Sequence, residues 1–333
     1  MFDGKKILIT GGTGSLGQAL TERLLKFDVD TIRIFSRNED KQVSMESKFS
    51  DDRLRFFLGD VRDLERLKRA LEGVDIVFHA AALKHVPKIE YNPFEAIKTN
   101  VIGSQNVIDG CLHENVDRAI CVGTDKAVSP LNTYGATKLL MEKLFVTANH
   151  YLNPQRHKTK FISLRYGNVL GSNGSVLPLL INQIKNKQKL TITDPNMTRF
   201  SITMDEALDF ILESGSLGQG SEIFVPKLQA YSLMDLKEAV KNLFGDAEEE
   251  TLGIRPGEKL HEVLISKDEV RYTRDIGKNY VILPSFESHA TKKYTNSKRA
   301  EFENSYSSDN APKISVNELE EIIKVSYLSK HHS

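Results

Sequence analysis

The sequence predicts an α/β protein: a doubly wound parallel sheet joined to a smaller, mixed α/β lobe. Three observations predict it. Short apolar runs alternate with helical stretches from Lys6 to about Arg165. The first run passes directly into glycines and then into a helical pattern. After Tyr166 the alternation loosens into a glycine- and asparagine-rich loop. Parallel strands need helical crossovers, so the alternating part reads as a parallel sheet. The expected division gives residues 1–167 and 200–226 to the larger lobe, and 168–199 and 227–333 to the smaller.

At 333 residues the chain can bury one large core or two smaller ones. Lys+Arg and Asp+Glu balance at 45 each, which argues against a nucleic-acid polymer or a membrane surface as partner. The two cysteines, Cys111 and Cys121, lie in apolar surroundings and read as buried thiols of a reducing compartment. Neither CxxC nor HxxxH spacing occurs, so no metal is expected. No apolar run reaches membrane-spanning length, and a cytoplasmic location is expected.

The first strand, Lys6 to Thr10, feeds Gly11-Gly12-Thr13-Gly14-Ser15-Leu16-Gly17. A helical pattern runs on to Phe27. Strand, glycine turn and helix make a phosphate-binding element, because glycines admit the backbone to a pyrophosphate and the helix N-terminus faces its charge. This identifies a Rossmann sheet. A second strand, Thr31 to Phe35, ends at Ser36-Arg37-Asn38 with Lys41 close behind. Arg37 and Lys41 suit a ribose 2′-phosphate, where an NAD site usually has an acid, so the residues favour NADP. After the third strand, Leu54 to Leu58, Asp60-Val61 has two readings: Asp60 reaches an adenine, or it caps the helix starting near Leu64. The fourth strand, Ile76 to His79, leads into Ala80-Ala81-Ala82, small enough for close approach to a cofactor. Lys84, in the same loop, is a candidate ligand for phosphate or ribose. Asn92-Pro93 reads as the cap and first turn of a helix reaching His113. Asn100, inside it, needs a polar partner: backbone near the site, a proton relay or a structural bond.

The fifth strand, Arg118 to Gly123, delivers Thr124-Asp125-Lys126 to the sheet edge where open α/β folds bind ligands. Tyr134 and Lys138 follow at i,i+4 on one helix face. A nearby ammonium favours a phenolate, so Tyr134 and Lys138 suit a tuned base. Asp125 and Lys126 add a second acid/base pair, or else a salt-bridged turn. Beyond the sixth strand, Phe161 to Arg165, lie Asn168 and the Gly174-Ser175 turn. A helix from Val176 to Asn186, a strand from Leu190 to Thr193 and a closing helix from Val316 to Ser329 are expected. The turn from Arg255 to Lys259 reads equally as a diphosphate and ribose site or as a charged surface turn.

These stretches resemble a known family. The glycine pattern with Tyr134-Gly-Ala-Thr-Lys138 resembles the extended short-chain dehydrogenase/reductases. More narrowly, the chain is similar to the inverting UDP-N-acetylglucosamine 4,6-dehydratases of pseudaminic acid biosynthesis. The resemblance is carried by residues 10–17, 34–37, 79–86, 124–130, 165–169, 198–200 and 255–259. Asp125-Lys126 is its most specific part, because retaining 4,6-dehydratases carry Asp-Glu there. The resemblance implies tightly bound NADP, UDP-N-acetylglucosamine as substrate, and a homo-oligomer such as a hexamer. It makes Tyr134 the base at the sugar 4-hydroxyl, Lys138 its tuning cation and Thr124 a hydrogen-bond partner of that hydroxyl. Lys126 becomes the base at carbon 5 and Asp125 the acid. A lysine base requires a depressed pKa, from burial or from a cation such as Lys84. Family position points to Asn168, Gly174, Ser175, Thr191, Arg199, Arg255 and Glu258, with Lys84, as substrate contacts. A UDP-sugar 4-epimerase would need Tyr134 and Lys138 but no second pair. A non-enzymatic cofactor sensor would need neither.

Overall fold

The computed structural model describes residues 1–153, 155–171 and 175–325. The glycine-linked unit comes first: β1 (Lys6–Thr10), α1 (Ser15–Leu24), β2 (Thr31–Ser36), α2 (Glu39–Phe49), β3 (Leu54–Leu58), α3 (Leu64–Leu71) and β4 (Ile76–His79). Two short helices follow, α4 (Val86–Tyr91) and α5 (Pro93–Ala96). A π-helical turn (Ile97–Ile102) joins α5 to α6 (Gly103–His113). Then come β5 (Arg118–Val122), α7 (Thr133–Ala148), β6 (Lys160–Leu164) and β7 (Asn168–Val169).

Strand and helix alternation continues less regularly through α8 (Val176–Lys185), β8 (Leu190–Ile192), β9 (Thr198–Ile202), α9 (Met204–Leu217) and β10 (Ile223–Pro226). The remainder holds β11 (Ala230–Ser232), α10 (Leu233–Phe244), β12 (Glu249–Thr251), β13 (Val263–Ile265), β14 (Thr273–Asp275) and β15 (Asn279–Ile282). It closes with α11 (His289–Lys293), β16 (Tyr306–Ser307) and α12 (Val316–Ile323).

The large sheet has the order β14-β15-β10-β6-β5-β4-β1-β2-β3. From β3 to β10 its strands are parallel, and β15 and β14 add an antiparallel edge. Both faces are covered. Ile7 and Ile9 enter one core, and Leu8 enters another with residues of α3, α6 and α7. A third core, built on α8, α10 and α12, underlies the smaller lobe.

The doubly wound sheet and the strand assignments match the sequence reading. The lobe boundary does not: β14 and β15, expected in the smaller lobe, belong to the large sheet, and β9 pairs with β7 and β11 outside it. Two expected caps also differ. Asp63, not Asp60, accepts the Arg66 N–H at the start of α3. Asn92 makes no cap bond; its Nδ2 donates to the Lys88 carbonyl. The closing helix is described from Val316 to Ile323, and the expected continuation beyond Val325 lies outside the described residues.

Candidate active site

β5 brings the chain to the carboxyl edge of the sheet. Gly123 lets it pass close to the end of β6, since a Cβ there would collide with the Leu164 carbonyl oxygen. Residues Asp125–Ala127 form one 3-10 turn. Thr124 Oγ1 donates to Asp125 Oδ1 at 2.8 Å. Asn132 then starts α7 by accepting the Gly135 N–H at 2.8 Å, while its Nδ2 donates to the Gly257 carbonyl at 2.8 Å. That second bond docks the 255–259 turn on the helix that carries Tyr134. The Thr124 hydroxyl lies beside Tyr134 and favours its phenolate, so the two acid/base pairs meet at one hydroxyl.

Lys126 lies at the centre of a polar cluster. Its Nζ stands 3.0 Å from Asp125 Oδ1, 2.9 Å from Asn168 Oδ1 and 3.3 Å from Glu262 Oε1. Arg199 Nε stands 3.8 Å from the same Glu262 oxygen, and Arg199 also reaches Glu258 at 3.8 Å. Asp125 Oδ2 and Glu262 Oε2 are buried without a hydrogen-bond partner. Burial would lower the Lys126 pKa, but Asp125 and then Glu262 outweigh it and hold the ammonium well above the ordinary lysine range. The expected depression is therefore reversed in the free protein. Lys84 is exposed and does not figure among the groups acting on Lys126.

Lys138 corrects a second expectation. Its ammonium donates to the Val122 carbonyl at 2.9 Å and to Met141 Sδ at 3.4 Å, and burial lowers its pKa. Burial raises Tyr134, and the cation that opposes this rise is Lys126.

The cofactor side is shaped by close contacts. Gly11 has φ 69°, and a Cβ there would lie 2.9 Å from the Ala81 backbone. The loops after β1 and β4 thus abut at the point where Ala80 and Ala82 also lie. Gly17 presses α1 onto Gly12, where a Cβ would sit 2.5 Å from Cα. Gly14 is the N-cap of α1, and no side-chain cap bond is made at the helix end that carries Ser15 and Leu16. Thr13 is buried, and its carbonyl accepts from Gln18. These features fit a dinucleotide pyrophosphate.

Around the rim, Ser36 Oγ accepts from Gln42, and Asn38 caps α2 by accepting the Lys41 N–H. Arg37 stands 3.5 Å from Asp60, which also pairs with Arg62 at 2.7 Å. Val61 is buried, and its carbonyl accepts from Asn106. Asn100 takes the backbone alternative: its amide bonds both the N–H and the carbonyl of Leu83, beside the Ala80–Ala82 loop, and donates to Thr137 on the Tyr134 helix.

The expected substrate contacts are only partly assembled. Asn168, Arg199 and Glu258 join the Lys126 cluster. The Arg255 N–H approaches Glu258 at 3.4 Å. Ser175 Oγ, at the start of α8, is buried without a partner. Thr191 is bonded instead to Gln183 of α8. Gly174 lies outside the described residues.

The family model described as polysaccharide biosynthesis protein matches residues 7–284. The chain belongs to this family. A family relative from Campylobacter jejuni, the inverting UDP-N-acetylglucosamine 4,6-dehydratase, is 45% identical over 97% of this chain and 98% of its own. A UDP-glucose 4-epimerase from Rickettsia felis is 41% identical over 97% of this chain and 96% of its own. The solved structure of Pen from Bacillus thuringiensis, 38% identical, superposes with a TM-score of 0.90 over 98% of this chain and 99% of that one. Among the described residues of this family member, no helix is long and apolar enough to cross a membrane, and no metal-binding cluster occurs.

Sequence reasoning missed Glu262. Its only local signal is an acid entering the apolar stretch Val263–Ile265, close behind the 255–259 turn. It also missed His79, buried between Thr10 Oγ1 at 2.7 Å and Ser104 Oγ at 2.9 Å. Burial holds this imidazole neutral, with its pKa down at about 3. Thr10 Oγ1 also receives the Ala81 N–H at 3.3 Å, so this network braces the two cofactor loops.

Proposed function

We propose that the chain is an NADP-dependent, configuration-inverting UDP-N-acetylglucosamine 4,6-dehydratase. The observation that carries this reading is the meeting of Asp125 and Lys126 with Tyr134 at Thr124. An epimerase needs one base beside its cofactor. An elimination needs a second acid/base pair at carbons 5 and 6. The Campylobacter relative's name and the family resemblance support the same choice.

Gly11 to Gly17, with Ala80 to Ala82, would hold the dinucleotide, and Arg37 with Lys41 would receive its 2′-phosphate. The bound nicotinamide supplies hydride acceptance at sugar carbon 4 and hydride return at carbon 6. Tyr134 takes the proton from the 4-hydroxyl, with Thr124 orienting that hydroxyl. The resulting 4-ketone acidifies the carbon 5 proton. Lys126 as a free amine removes that proton, and Asp125 in its acid form protonates the 6-hydroxyl as water leaves. A proton then returns to carbon 5 on the opposite face, which inverts the centre. Arg199 and Arg255 suit the diphosphate, because a guanidinium can grip two oxygens at once. The product is UDP-2-acetamido-2,6-dideoxy-β-L-arabino-hexos-4-ulose, an entry into pseudaminic-acid-type surface glycans. The reading includes a cytoplasmic homo-oligomer. It places the dinucleotide on the large sheet and the sugar nucleotide against the smaller lobe.

The test is incubation of the purified protein with UDP-N-acetylglucosamine in heavy water, followed by NMR and mass spectrometry. Loss of one water, deuterium at carbon 5 and inverted configuration are expected. Simple interconversion with the galacto isomer would replace this reading with a 4-epimerase.

A further inference from the structure

We propose that Glu262 is the proton acceptor that converts Lys126 from an ammonium into the amine that acts on carbon 5. The proposal rests on the dehydratase reading above. Glu262 works through Lys126 and is in that sense a positioning residue.

The need for such a group follows from the geometry. An ammonium has three N–H donors. Lys126 Nζ faces three oxygens, those of Asp125, Asn168 and Glu262, at 2.9 to 3.3 Å. Before Lys126 can remove a proton it must lose one. The Asn168 amide oxygen is too weak a base to take it. Asp125 is not available, because in the dehydratase reading it carries its own proton to the 6-hydroxyl and cannot take a second; its Oδ1 already accepts from both Thr124 and Lys126. Glu262 has an oxygen to spare and no assigned proton of its own. Its Oε1 has ion-pair contacts at 3.3 and 3.8 Å, and its Oε2 is buried with no hydrogen-bond partner. That oxygen can take a proton without breaking a hydrogen bond.

The groups facing Glu262 decide when the transfer occurs. Lys126 and Arg199 pair with Glu262 directly, and Lys259, Asp125, Tyr134 and Tyr231 are the other titratable groups of the cluster. Once a sugar diphosphate engages Arg199, that guanidinium is neutralised and water leaves the cluster. An ion pair in a drier site loses ground to the neutral pair. One Lys126 N–H bond breaks, one Glu262 O–H bond forms, and the net charge of the pair stays at zero. The amine then takes the carbon 5 proton. The position of Glu262 is fixed from the other lobe: its own N–H donates to Ser308 Oγ at 2.9 Å, next to β13.

The test compares wild-type holoenzyme with Glu262→Gln and Glu262→Asp, each given UDP-N-acetylglucosamine in heavy water across a pH series. Two steps are followed separately: nicotinamide reduction by absorbance, and deuterium entry at carbon 5 by NMR. Glu262→Gln is expected to reduce its nicotinamide but to lose carbon 5 exchange by about a hundredfold near neutrality. The lost exchange should climb back as pH rises, because solvent hydroxide can then deprotonate Lys126; the wild type should show no such climb. Glu262→Asp should regain part of the rate without high pH. Unchanged exchange in Glu262→Gln overturns the proposal. So does an equal loss of both steps at every pH, which marks a structural role. A wild type that neither loses water nor exchanges carbon 5 overturns the dehydratase reading instead.

Discussion

Arg165 grips Glu142 with two guanidinium nitrogens, Nε at 2.5 Å and a terminal nitrogen at 2.6 Å from the two carboxylate oxygens. The same guanidinium holds Glu269 at 2.7 and 2.9 Å and the Leu264 carbonyl at 3.1 Å. One buried side chain therefore joins α7, the end of β6 and the segment after β13. Replacing it as Arg165→Met leaves two carboxylates without their cation. A loss of about 3–5 kcal/mol is expected from urea unfolding, since breaking a buried ion pair strands a charge. A loss below about 1 kcal/mol would mean that the two glutamates take up protons and relax at little cost.

Acid should attack this same triad. Burial alone would raise Glu269, but Arg165 and Ser266 outweigh it and hold its carboxyl down at about 2. A carboxyl depressed in the folded state adds stability above its unfolded value of 4.5. That contribution fades as pH falls from 4.5 towards 2. Urea midpoints measured across this window should drop more steeply for the wild type than for Glu269→Gln. Parallel curves would exclude Glu269 as a source of acid sensitivity.

Removing the reacting side chains should separate the steps. Tyr134→Phe is expected to bind dinucleotide normally and to lose nicotinamide reduction by about 10²–10⁴-fold. Lys126→Ala should bind dinucleotide equally well but stop turnover. Near-normal turnover in Lys126→Ala would remove that residue from the chemistry.

Gly11→Ala combines a positive φ with a Cβ placed 2.9 Å from Ala81 backbone atoms. Strain of about 1–3 kcal/mol is expected. The loss should appear in thermal stability and in the amount of dinucleotide that co-purifies. Full cofactor content with an unchanged melting temperature would show that the two loops need not abut.

Arg37→Ser removes the cation proposed for the 2′-phosphate. Affinity for NADP should fall about tenfold or more, in line with a charged hydrogen bond of about 1.5–3 kcal/mol, while that for NAD holds. Calorimetry with both dinucleotides checks this, and an equal change in the two affinities would count against the assignment.

Much of the fold was readable because its signals are local. β1 to β6 each carry their own apolar run, and the glycines sit where one turn requires them. The outer strands were not readable. Thr273–Asp275 and Asn279–Ile282 are short, and what makes them strands is the edge that β10 offers. The π-helical turn at Ile97–Ile102 escaped for a similar reason, because tertiary packing sets that register and propensity does not. At the candidate site, the Thr124 to Lys138 stretch was legible as one run of residues. The charge state of Lys126 was not, because it depends on Glu262, which reaches it from the far lobe. Lys138 shows the limit of spacing arguments: i,i+4 fixed its face, but Val122 drew its ammonium.

The antiparallel edge of the large sheet bears on how the chain emerges from a ribosome. β10 is synthesised well before β15, its partner on the open side. Until residues 279–282 appear, β10 presents free N–H and carbonyl groups along an apolar strand, a template for pairing with another nascent chain. Closure of the sheet waits on a distant segment, which favours slow final folding. Overexpression at high temperature should therefore lose material to aggregates before the last lobe is made, and slower translation through residues 227–282 should worsen that loss.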